Sequence, residues 1–483
     1  MNKVLGQVEQ LIFSHFPHTP TDGQREACGA IVRFLYDPDP NAAFVLKGYA
    51  GTGKTSLVSA LIQVAPYLHL RTVLLAPTGR AAKVLSSYSG KKAYTIHKKI
   101  YMTVTDGDGF MRIARALNKH TYTLFIVDEA SMIGVDEYTG DYSNRSLLED
   151  LIEYVADGYH CRLMFVGDGA QLPPVGLSES PALDAAYLMS VSSLQVHQYE
   201  LTEVVRQQKQ SGILYNATTL RQLLSTMESD EPFDAPLFTT EGFPDVVRLS
   251  GMDLEEALQT AYSGDCLEDV AIVTRSNKRA NLFNQAIRNR ILFREEEVNA
   301  GDYLMVVKNN YYWLEEDSEI GFIANGDIVE VMSVRNREEQ YGFHFVDATV
   351  RFVDYPDEPT LDCKLILETL YSESPSLSRD ESSTFYHSVM EEYVELPTKA
   401  AKLKALRSNP YFNALQVKFS YALTCHKTQG GQWRNIFVDQ GFLTEEMKNK
   451  EYLRWLYTAV TRATEHLYLL NFDPTFFVEG TEY

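Results

Sequence analysis

The stretch that decides the fold is AFVLKGYAGTGKTSLVSALIQV, residues 43–64. Residues 43–47 form a short apolar run, residues 48–55 match the pattern G-x-x-x-x-G-K-[ST], and residues 56–64 carry apolar side chains at helical spacing. A strand, a glycine-rich loop and a helix in this order form the context that a phosphate-binding loop requires. We therefore predict a parallel-sheet domain that binds a nucleotide.

Each residue type in this loop has a physical task. Glycines let successive backbone N–H groups turn toward phosphates, while Lys54 supplies a positive charge to the outer phosphates and Thr55 a hydroxyl to Mg²⁺. The following helix adds the positive end of its dipole. The predicted cofactors are ATP and Mg²⁺, and the predicted nucleotide contacts in this loop are Gly48, Gly51, Thr52, Gly53, Lys54, Thr55 and Ser56.

Similar units follow in the chain: TVLLAPT with GRAAKVLSSY, then TLFIVDEAS, then RLMFVGDGAQLPPV. Nearly continuous apolar strands that alternate with helices are typical of a parallel sheet covered on both faces. An α/β alternation returns at residues 269–291 and again after residue 434, and the β-like runs between them indicate a small β-rich insertion.

Acidic and amide side chains stand at the ends of two of these strands. Asp128 is placed to hold Mg²⁺ through water, and Glu129 to orient or deprotonate the attacking water. Gln171 is placed to touch a γ-phosphate and sense its loss. The structural alternatives are two acids that merely begin a loop and, for Asp168, a carboxylate that only caps its loop.

Composition and charge exclude several classes of protein. The chain has 483 residues, of which 45% are apolar, and its 65 acidic and 44 basic residues give a net charge of −21. A histone-like or basic coat protein is excluded. The five cysteines form no C-x-x-C pair, and no run is long enough to span a bilayer, so we expect a soluble cytoplasmic protein without a disulfide framework or membrane contact.

The basic residues are unevenly distributed. Residues 71–105 contain seven Lys or Arg and no acid, and residues 396–438 contain another seven and no acid. Two confined basic segments on an acidic protein could bind a polyanion along one groove. The alternative is clustering on solvated faces.

An ordered series of motifs now becomes recognisable. Gln24 lies in TDGQREA, and GYAGTGKTS, APTGRAAK, TIHK, VDEAS, GDGAQLPPV, LTEVVRQ, ALTCHKTQGGQW and AVTRA follow it in order between residues 48 and 463. The series resembles the superfamily 1 DNA helicases, in particular the RecD-like and Dda-like branch. That resemblance implies ATP-driven movement 5′ to 3′ on single-stranded DNA with unwinding of duplex.

The resemblance also implies an architecture. It consists of two RecA-like parallel-sheet domains, with a small hairpin insertion in the first and an SH3-like β-rich insertion in the second. The expected boundaries are residues 1–205 for the first domain with its hairpin at about 98–121, residues 206–333 and 414–483 for the second, and residues 334–413 for the β-rich insertion.

Further site residues follow from the matching motifs. By resemblance, Gln24 reads the adenine edge, and Arg206 and Arg462 reach the γ-phosphate from the second domain. The predicted DNA contacts are Thr78, Gly79, Arg80, His97, Thr424, His426, Lys427 and Gln429, and Gln429 with Gly430 would link the strand to the nucleotide. These contacts fall in the two acid-free segments.

Several of these residues keep a structural alternative. Arg206 fits an exposed helix arginine, His97 and His426 fit core histidines, and Thr78 fits a helix cap. DGDG at residues 106–109 indicates a hairpin tip, and Phe110 beside it would either stack on the last base pair of a duplex junction or anchor the hairpin to its own domain.

The function predicted from the sequence is an ATP-dependent DNA helicase that acts at single strands and duplex junctions, with one chain competent for hydrolysis. The alternative is a DNA-stimulated ATPase that remodels protein–DNA complexes without separating strands. The sequence names no protein partner.

Overall fold

The computed structural model describes residues 2–105, 111–135, 146–205, 211–227, 232–233, 237–263, 267–314, 318 and 322–478. The first lobe, residues 2–205, contains α1 (Asn2–Phe13), α2 (Asp22–Leu35), β1 (Ala42–Gly48), α3 (Lys54–Val64), β2 (Arg71–Ala76), α4 (Gly79–Ser89), β3 (Ala93–Thr95), α5 (Ile96–Ile100), β4 (Tyr101–Thr105), β5 (Met111–Arg115), β6 (Thr123–Val127), α6 (Leu147–Ala156), β7 (Arg162–Gly167), α7 (Ala185–Val191) and β8 (Gln195–Leu201).

The sheet of the first lobe explains why distant motifs meet. Its strands run in parallel in the order β3-β2-β6-β7-β1-β8, so β7 lies between β6 and β1. Every residue of β6 is buried, which accounts for its continuous apolar sequence. Because the strands are parallel, the loops after β1, β6 and β7 emerge side by side at one edge.

The second lobe, which begins at residue 211, contains α8 (Gly212–Thr226), β9 (Val246–Leu249), α9 (Leu254–Tyr262), β10 (Val270–Thr274), α10 (Asn277–Ala286), β11 (Tyr303–Val306), β12 (Ile328–Gln340), β13 (Phe343–Phe352), β14 (Leu361–Ile366), α11 (Glu368–Tyr371), α12 (Arg379–Glu391), α13 (Lys399–Arg407), β15 (Leu415–Phe419), β16 (Ala422–Thr424), α14 (Cys425–Thr428), β17 (Trp433–Asp439), α15 (Lys450–Val460) and β18 (Ala463–Leu470). Its parallel sheet has the order β16-β10-β17-β18-β9.

A closed barrel is inserted into the second lobe. Strands β11, β12, β13, β14 and β15 form it, with antiparallel pairing except between β14 and β15. The predicted fold class, two parallel-sheet domains with a β-rich SH3-like insertion in the second, is confirmed. The barrel also uses β11 and β15, which lie outside the expected insertion at residues 334–413, and the exact domain boundaries stay a prediction.

The hairpin insertion of the first lobe is present as well. Strands β4 and β5 pair in antiparallel fashion, with Thr105 opposite Met111. Residues 106–110, and with them Phe110, lie outside the described residues. The predicted stacking of Phe110 on a base pair therefore stays a prediction.

Two further observations concern the chemistry of the chain. Cys28, Cys161, Cys363 and Cys425 are buried free thiols, and burial raises the pKa of each of them. Within the part of the chain that the structure describes, no helix has both the length and the apolar character that crossing a membrane requires.

Candidate functional site

The glycine-rich loop between β1 and α3 has the backbone conformation that its sequence predicts. Gly51 and Gly53 adopt positive φ angles of 74° and 82°, and Gly53 precedes the first residue of α3. The Lys54 ammonium donates to the carbonyl oxygen of Tyr49 at 3.0 Å and also to that of Gly48. The Lys54 ammonium is thus bound by its own loop. If a nucleotide occupies the loop, its outer phosphates would replace these two carbonyl oxygens as acceptors.

Gln24 braces this loop from α2. Its Nε2 donates to the carbonyl oxygen of Thr52 at 3.0 Å, and its Oε1 accepts from the backbone N–H of Thr21 at 3.0 Å. The Thr21 hydroxyl accepts in turn from the Gln24 N–H, which completes a capping box at the start of α2. The structure therefore uses both ends of the Gln24 amide inside the protein, and its reading of an adenine edge stays a prediction.

The acidic pair follows β6 directly. Asp128 accepts from the Tyr88 hydroxyl at 2.6 Å and from the backbone N–H of Glu129 at 2.9 Å. Glu129 itself has a positive φ of 52°, which is uncommon for a residue with a side chain. The loop after β6 thus fixes the Asp128 carboxylate through two hydrogen bonds and places Glu129 on a left-handed backbone.

The charge of Glu129 is set by both lobes. Burial raises the pKa of its carboxyl group, the positive charges of Arg462 and Lys54 lower it, and Asp128 and Asp168 raise it further. Arg462 belongs to the second lobe and Lys54 to the first. The structure therefore brings the predicted lysine, acid and arginine into one electrostatic site.

Arg462 is only 4% exposed. Its guanidinium donates to the carbonyl oxygens of Thr458 at 3.1 Å and Gly431 at 3.3 Å, and to the Thr461 hydroxyl at 3.3 Å. These bonds aim the side chain from the end of α15 into the interface between the lobes. The second predicted arginine, Arg206, lies outside the described residues, which omit 206–210.

The loop after β7 is tied to the second lobe. Asp168 caps the loop by accepting from the Ala170 N–H at 2.9 Å, as the structural alternative expected, and it also accepts from the Tyr457 hydroxyl at 2.6 Å. Gln171 is 7% exposed, and its Oε1 has no hydrogen-bond partner among the described residues. A buried amide oxygen without a hydrogen-bond partner lowers the stability of the folded protein, and a bound ligand or its water would supply the missing partner.

Three more hydrogen bonds cross between the lobes at this point. The Ala50 N–H donates to the Tyr457 hydroxyl at 2.8 Å, and the Leu172 N–H donates to the Thr458 hydroxyl at 2.8 Å. Gln429 donates from Nε2 to the carbonyl oxygen of Leu172 at 2.7 Å. Gln429 thus links the two lobes through a backbone carbonyl of the first, and its predicted link between strand and nucleotide stays a prediction.

Gly430 marks a close approach of the two lobes. It has a φ of 71°, and a Cβ built on it would lie 2.7 Å from the Ala81 Cβ and 3.3 Å from the Thr78 hydroxyl. The carbonyl oxygen of Gly431 beside it accepts a hydrogen bond from the Arg462 guanidinium. Gly430 therefore lies against the start of α4, and its predicted contact with nucleotide stays a prediction.

A groove of about 880 Å³ runs between the lobes. Most of the predicted strand contacts line it, namely Thr78, Arg80, Thr424, His426, Lys427 and Gln429. The two acid-free basic segments of the sequence meet there, because one contributes the start of α4 and the other contributes α14. The structure thus gathers these residues in one groove, and their contact with DNA stays a prediction.

Arg80 crosses this groove. Its guanidinium lies 4.0 Å from the ring centre of Trp433 and donates to the carbonyl oxygen of Gln432 at 3.1 Å. Burial lowers the pKa of Arg80 from its ordinary value. Thr78 caps α4 by accepting from the Ala81 N–H at 3.2 Å, which is the structural role that its sequence position also allowed.

The basic side chains near the groove are partly desolvated. Burial lowers the pKa of His97 to about 4, and the ring packs against Tyr101 and Phe322 at centroid distances of 5.8 and 6.1 Å. Burial also lowers the pKa of His426, against the charge of Glu451. Burial and the nearby charge of Lys418 lower the pKa of Lys427 to about 8. The packing of His97 favours its interpretation as a core histidine.

Gly79 is approached by the barrel. A Cβ at this position would lie 2.8 Å from the Tyr355 hydroxyl and 3.0 Å from Asp327 Oδ1. The backbone there is covered by protein, and its predicted contact with a strand stays a prediction.

Sequence reasoning missed several residues of the site: Tyr88, Trp433, Tyr457 and Thr458. Trp433 and Tyr457 stand inside or next to recognised motifs, and this proximity was the available signal. Tyr88 lies 40 residues before its partner Asp128, and nothing in the local sequence distinguishes it from other tyrosines.

Comparisons with known proteins match two parts of the chain. A family model described as AAA domain matches residues 19–227, and one described as UvrD-like helicase C-terminal domain matches residues 419–470. The first match holds the nucleotide loop and the second holds Arg462 and the groove residues of α14.

Individual relatives cover different shares of the chain. The chain is 25% identical to the ATP-dependent DNA helicase dda of Enterobacteria phage T4, over 68% of this chain and 70% of that protein. It is 33% identical to the ATP-dependent RecD2 DNA helicase of Deinococcus radiodurans, over 36% of this chain but only 21% of that protein. An uncharacterised protein of Acanthamoeba polyphaga mimivirus is 22% identical over 92% of this chain and 98% of its own length.

Among solved structures, the Pif1 helicase from Bacteroides in complex with ADP-AlF3 and single-stranded DNA superimposes with a TM-score of 0.46. The sequence identity is 14%, and the alignment covers 95% of each chain.

Proposed function

We propose that this chain, which is similar to the superfamily 1 DNA helicases of the RecD-like and Dda-like kind, is an ATP-dependent DNA helicase that moves 5′ to 3′ on single-stranded DNA. The resemblance predicted from the motifs is confirmed by the two family models and by the relatives that carry helicase names. The observation that carries the proposal is the site shared by the two lobes. Lys54 begins α3 in the first lobe, and α15, which precedes Arg462 in the second, is hydrogen-bonded through Tyr457 to the glycine-rich loop and to Asp168.

ATP hydrolysis is assigned to this shared site. Lys54 neutralises the outer phosphates, and Glu129 orients the attacking water and withdraws its proton. Arg462 and Arg206 offset the charge that spreads over the γ-phosphate oxygens in the transition state. Gln171, with its unpaired buried oxygen, holds the water or the γ-phosphate and responds to its loss.

Thr55 and Asp128 fit a magnesium ion. Hydroxyl and carboxylate oxygens are the ligands that Mg²⁺ takes in phosphate sites, and it usually keeps several waters there. When bound, the ion neutralises phosphate charge. The hydrogen bonds from Tyr88 and from the Glu129 N–H fix the Asp128 carboxylate, so that it is oriented before a metal and its waters arrive.

Single-stranded DNA is assigned to the groove between the lobes. Hydroxyls and cations from both lobes, including Thr78, Thr424 and Lys427, line it and suit a phosphate backbone. Contacts to phosphate carry no sequence information, so binding should tolerate any sequence and weaken as salt rises. DNA and nucleotide share the same interface, and closure of the lobes around ATP therefore changes the grip on the strand.

The proposal is tested by strand displacement at stated salt, with duplexes that carry either a 5′ or a 3′ single-stranded tail. We expect ATP-dependent displacement from the 5′ tail. Lys54→Ala should abolish hydrolysis and displacement while DNA binding stays measurable.

Displacement only from the 3′ tail would contradict the polarity. DNA-stimulated hydrolysis without displacement from either substrate would favour the alternative, an ATPase that remodels protein–DNA complexes.

A further inference from the structure

Tyr457 is a buried residue that is not among those predicted to take part in ATP hydrolysis. It lies in α15, five residues before Arg462, and its side chain is 1% exposed. A tyrosine hydroxyl has one hydrogen to donate and can accept as well. In this structure the hydroxyl does both, and both partners belong to the other lobe.

The two bonds of the hydroxyl reach two different parts of the nucleotide site. The hydroxyl donates to Asp168 Oδ2 at 2.6 Å, at the base of the loop that carries Gln171. It accepts from the Ala50 N–H at 2.8 Å, within the glycine-rich loop. One atom from the second lobe therefore holds two of the first lobe's loops at a fixed spacing.

The same helix turn holds Arg462. The Arg462 Nε donates to the carbonyl oxygen of Thr458, the residue after Tyr457, and the Thr458 hydroxyl accepts from the Leu172 N–H. A shift of α15 would therefore move Arg462 and break the bonds of Tyr457 together. This couples the position of the guanidinium to the positions of both loops.

The hydroxyl is suited to be a constant donor. Burial and the neighbouring Asp168 carboxylate raise the pKa of Tyr457 well above its ordinary value, so it stays protonated at any working pH. The second oxygen of Asp168 is fixed by the Ala170 N–H. Hydrogen bonds to a charged and buried acceptor are among the stronger ones in proteins.

We infer that Tyr457 is a positioning residue for ATP hydrolysis: its hydroxyl aligns the glycine-rich loop and the Gln171 loop of the first lobe with Arg462 of the second when the lobes close. The inference rests on the proposed function. The Tyr457 hydroxyl donates to Asp168 and accepts from Ala50, so it acts through these two residues and through Arg462 of the same helix turn. It therefore governs the rate of turnover and has little effect on how tightly nucleotide binds.

The test replaces only the hydroxyl, with Tyr457→Phe. Its matched control is Tyr262→Phe, because Tyr262 is also a buried tyrosine of the second lobe, and its hydroxyl has no hydrogen-bond partner among the described residues. Three quantities are measured on both variants and the unmodified protein: DNA-stimulated kcat and KM for ATP, affinity for a fluorescent ADP analogue, and the melting temperature.

We expect Tyr457→Phe to lower kcat by about 10- to 100-fold, as expected for loss of a hydrogen bond to a charged group. KM and ADP affinity should stay within about threefold. The melting temperature should fall below that of Tyr262→Phe, because loss of the Tyr457 hydroxyl leaves the buried Asp168 Oδ2 and the Ala50 N–H without this partner. Adding Asp168→Ala to Tyr457→Phe should cost no more than the larger single effect, because both changes break the same bond.

Two kinetic results would overturn the inference. One is a kcat for Tyr457→Phe equal to that of Tyr262→Phe. The other is a loss of ADP affinity as large as the loss of kcat, which indicates a merely structural role.

Hydrogen exchange separates this inference from the proposed function. The Ala50 amide is bonded to the Tyr457 hydroxyl, so exchange of a peptide containing residue 50 should speed up in Tyr457→Phe and not in Tyr262→Phe. If the unmodified protein fails to hydrolyse ATP, the proposed function fails. The role of the Tyr457 hydroxyl in joining the two loops is then tested by hydrogen exchange alone, and unchanged exchange of the peptide containing residue 50 in Tyr457→Phe would refute it.

Discussion

At the scale of single residues, the acid–base state of Glu129 depends on a side chain from the other lobe. Burial raises the pKa of its carboxyl group, and the Arg462 charge lowers it. A general base must be ionised to accept a proton, so hydrolysis should rise with pH through the pKa of Glu129. We therefore expect Arg462 to have two effects, namely stabilising the transition state and lowering the pKa of Glu129.

Removal of Arg462 should show both effects. Arg462→Ala should bind ATP yet lower kcat by about 10³-fold or more. The acid side of its kcat–pH profile should also shift to higher pH, because the pKa of Glu129 rises when the nearby positive charge is lost. Arg434→Ala, at an exposed arginine paired with Glu465, is the control and should change neither property. Normal turnover in Arg462→Ala would remove the assignment.

If Lys427 contacts DNA as predicted, its lowered pKa should make DNA binding depend on pH. Burial and Lys418 lower the pKa of Lys427 to about 8, so it is charged below that pH and neutral above it. A neutral amine gives no ionic attraction to phosphate. At pH 9 only about a tenth of the side chain is charged in the free protein, and DNA affinity should be about tenfold weaker than at pH 7. Fluorescence anisotropy checks this, and Lys427→Arg should flatten the profile.

At the scale of secondary-structure elements, the turn after α14 sets how closely α4 can approach. Gly430 has a φ of 71° and no room for a Cβ, since one would lie 2.7 Å from Ala81. Gly90, at the end of α4, has a similar φ of 65° but open space around it. Substitutions at Gly430 and Gly90 therefore distinguish the effect of backbone strain from the effect of contact between the lobes.

Gly430→Ala and Gly90→Ala should each lose about 1 to 2 kcal/mol of stability, because a side chain is strained in the left-handed region. Only Gly430→Ala should also lower DNA-stimulated hydrolysis, since its methyl group holds the lobes apart. Thermal melting and steady-state hydrolysis measure the two properties. Equal hydrolysis in the two variants would show that the lobes adjust without loss.

At the scale of the whole molecule, the barrel of the second lobe rests on the first lobe. Asp327 and Tyr355 of the barrel region approach Gly79, and Asp354 lies 3.7 Å from the Lys83 ammonium. The pKa of Asp327 is raised to about 7, mainly by burial and also by the charge of Asp354, while the hydrogen bond from the Ala324 N–H and the Lys98 charge offset part of the rise. The junction therefore places a titrating carboxyl group against the basic segment of the first lobe.

This junction should make stability depend on pH. Between about pH 4 and pH 7 the folded protein holds a proton on Asp327 that the unfolded chain releases, so stability falls as pH rises through this window. Asp327→Asn should remove that part of the slope in melting experiments from pH 5 to pH 8. Asp357→Asn, at an exposed aspartate nearby, should leave the slope unchanged, and an unaltered slope in Asp327→Asn would contradict the assignment.

The sequence by itself determined the two parallel sheets, the barrel's existence, the phosphate loop and the resemblance to helicases. These features depend on local demands, such as glycine at positive φ in residues 51 and 53 and continuous apolar runs in buried strands, so they are legible in short stretches. The order of the strands then brings Lys54, Asp128 and Gln171 to one edge.

Only the tertiary structure decided which side chains join the lobes. The Tyr457 hydroxyl meets Ala50 across 407 residues of sequence and Asp168 across 289, and Arg80 stacks on Trp433 from the other lobe. Hydrogen bonds and ring contacts of this kind need only proximity and a free donor, acceptor or π face, which many residues possess. Which residues become partners depends on how the two lobes pack against each other, and this packing cannot be read from the local sequence around either partner.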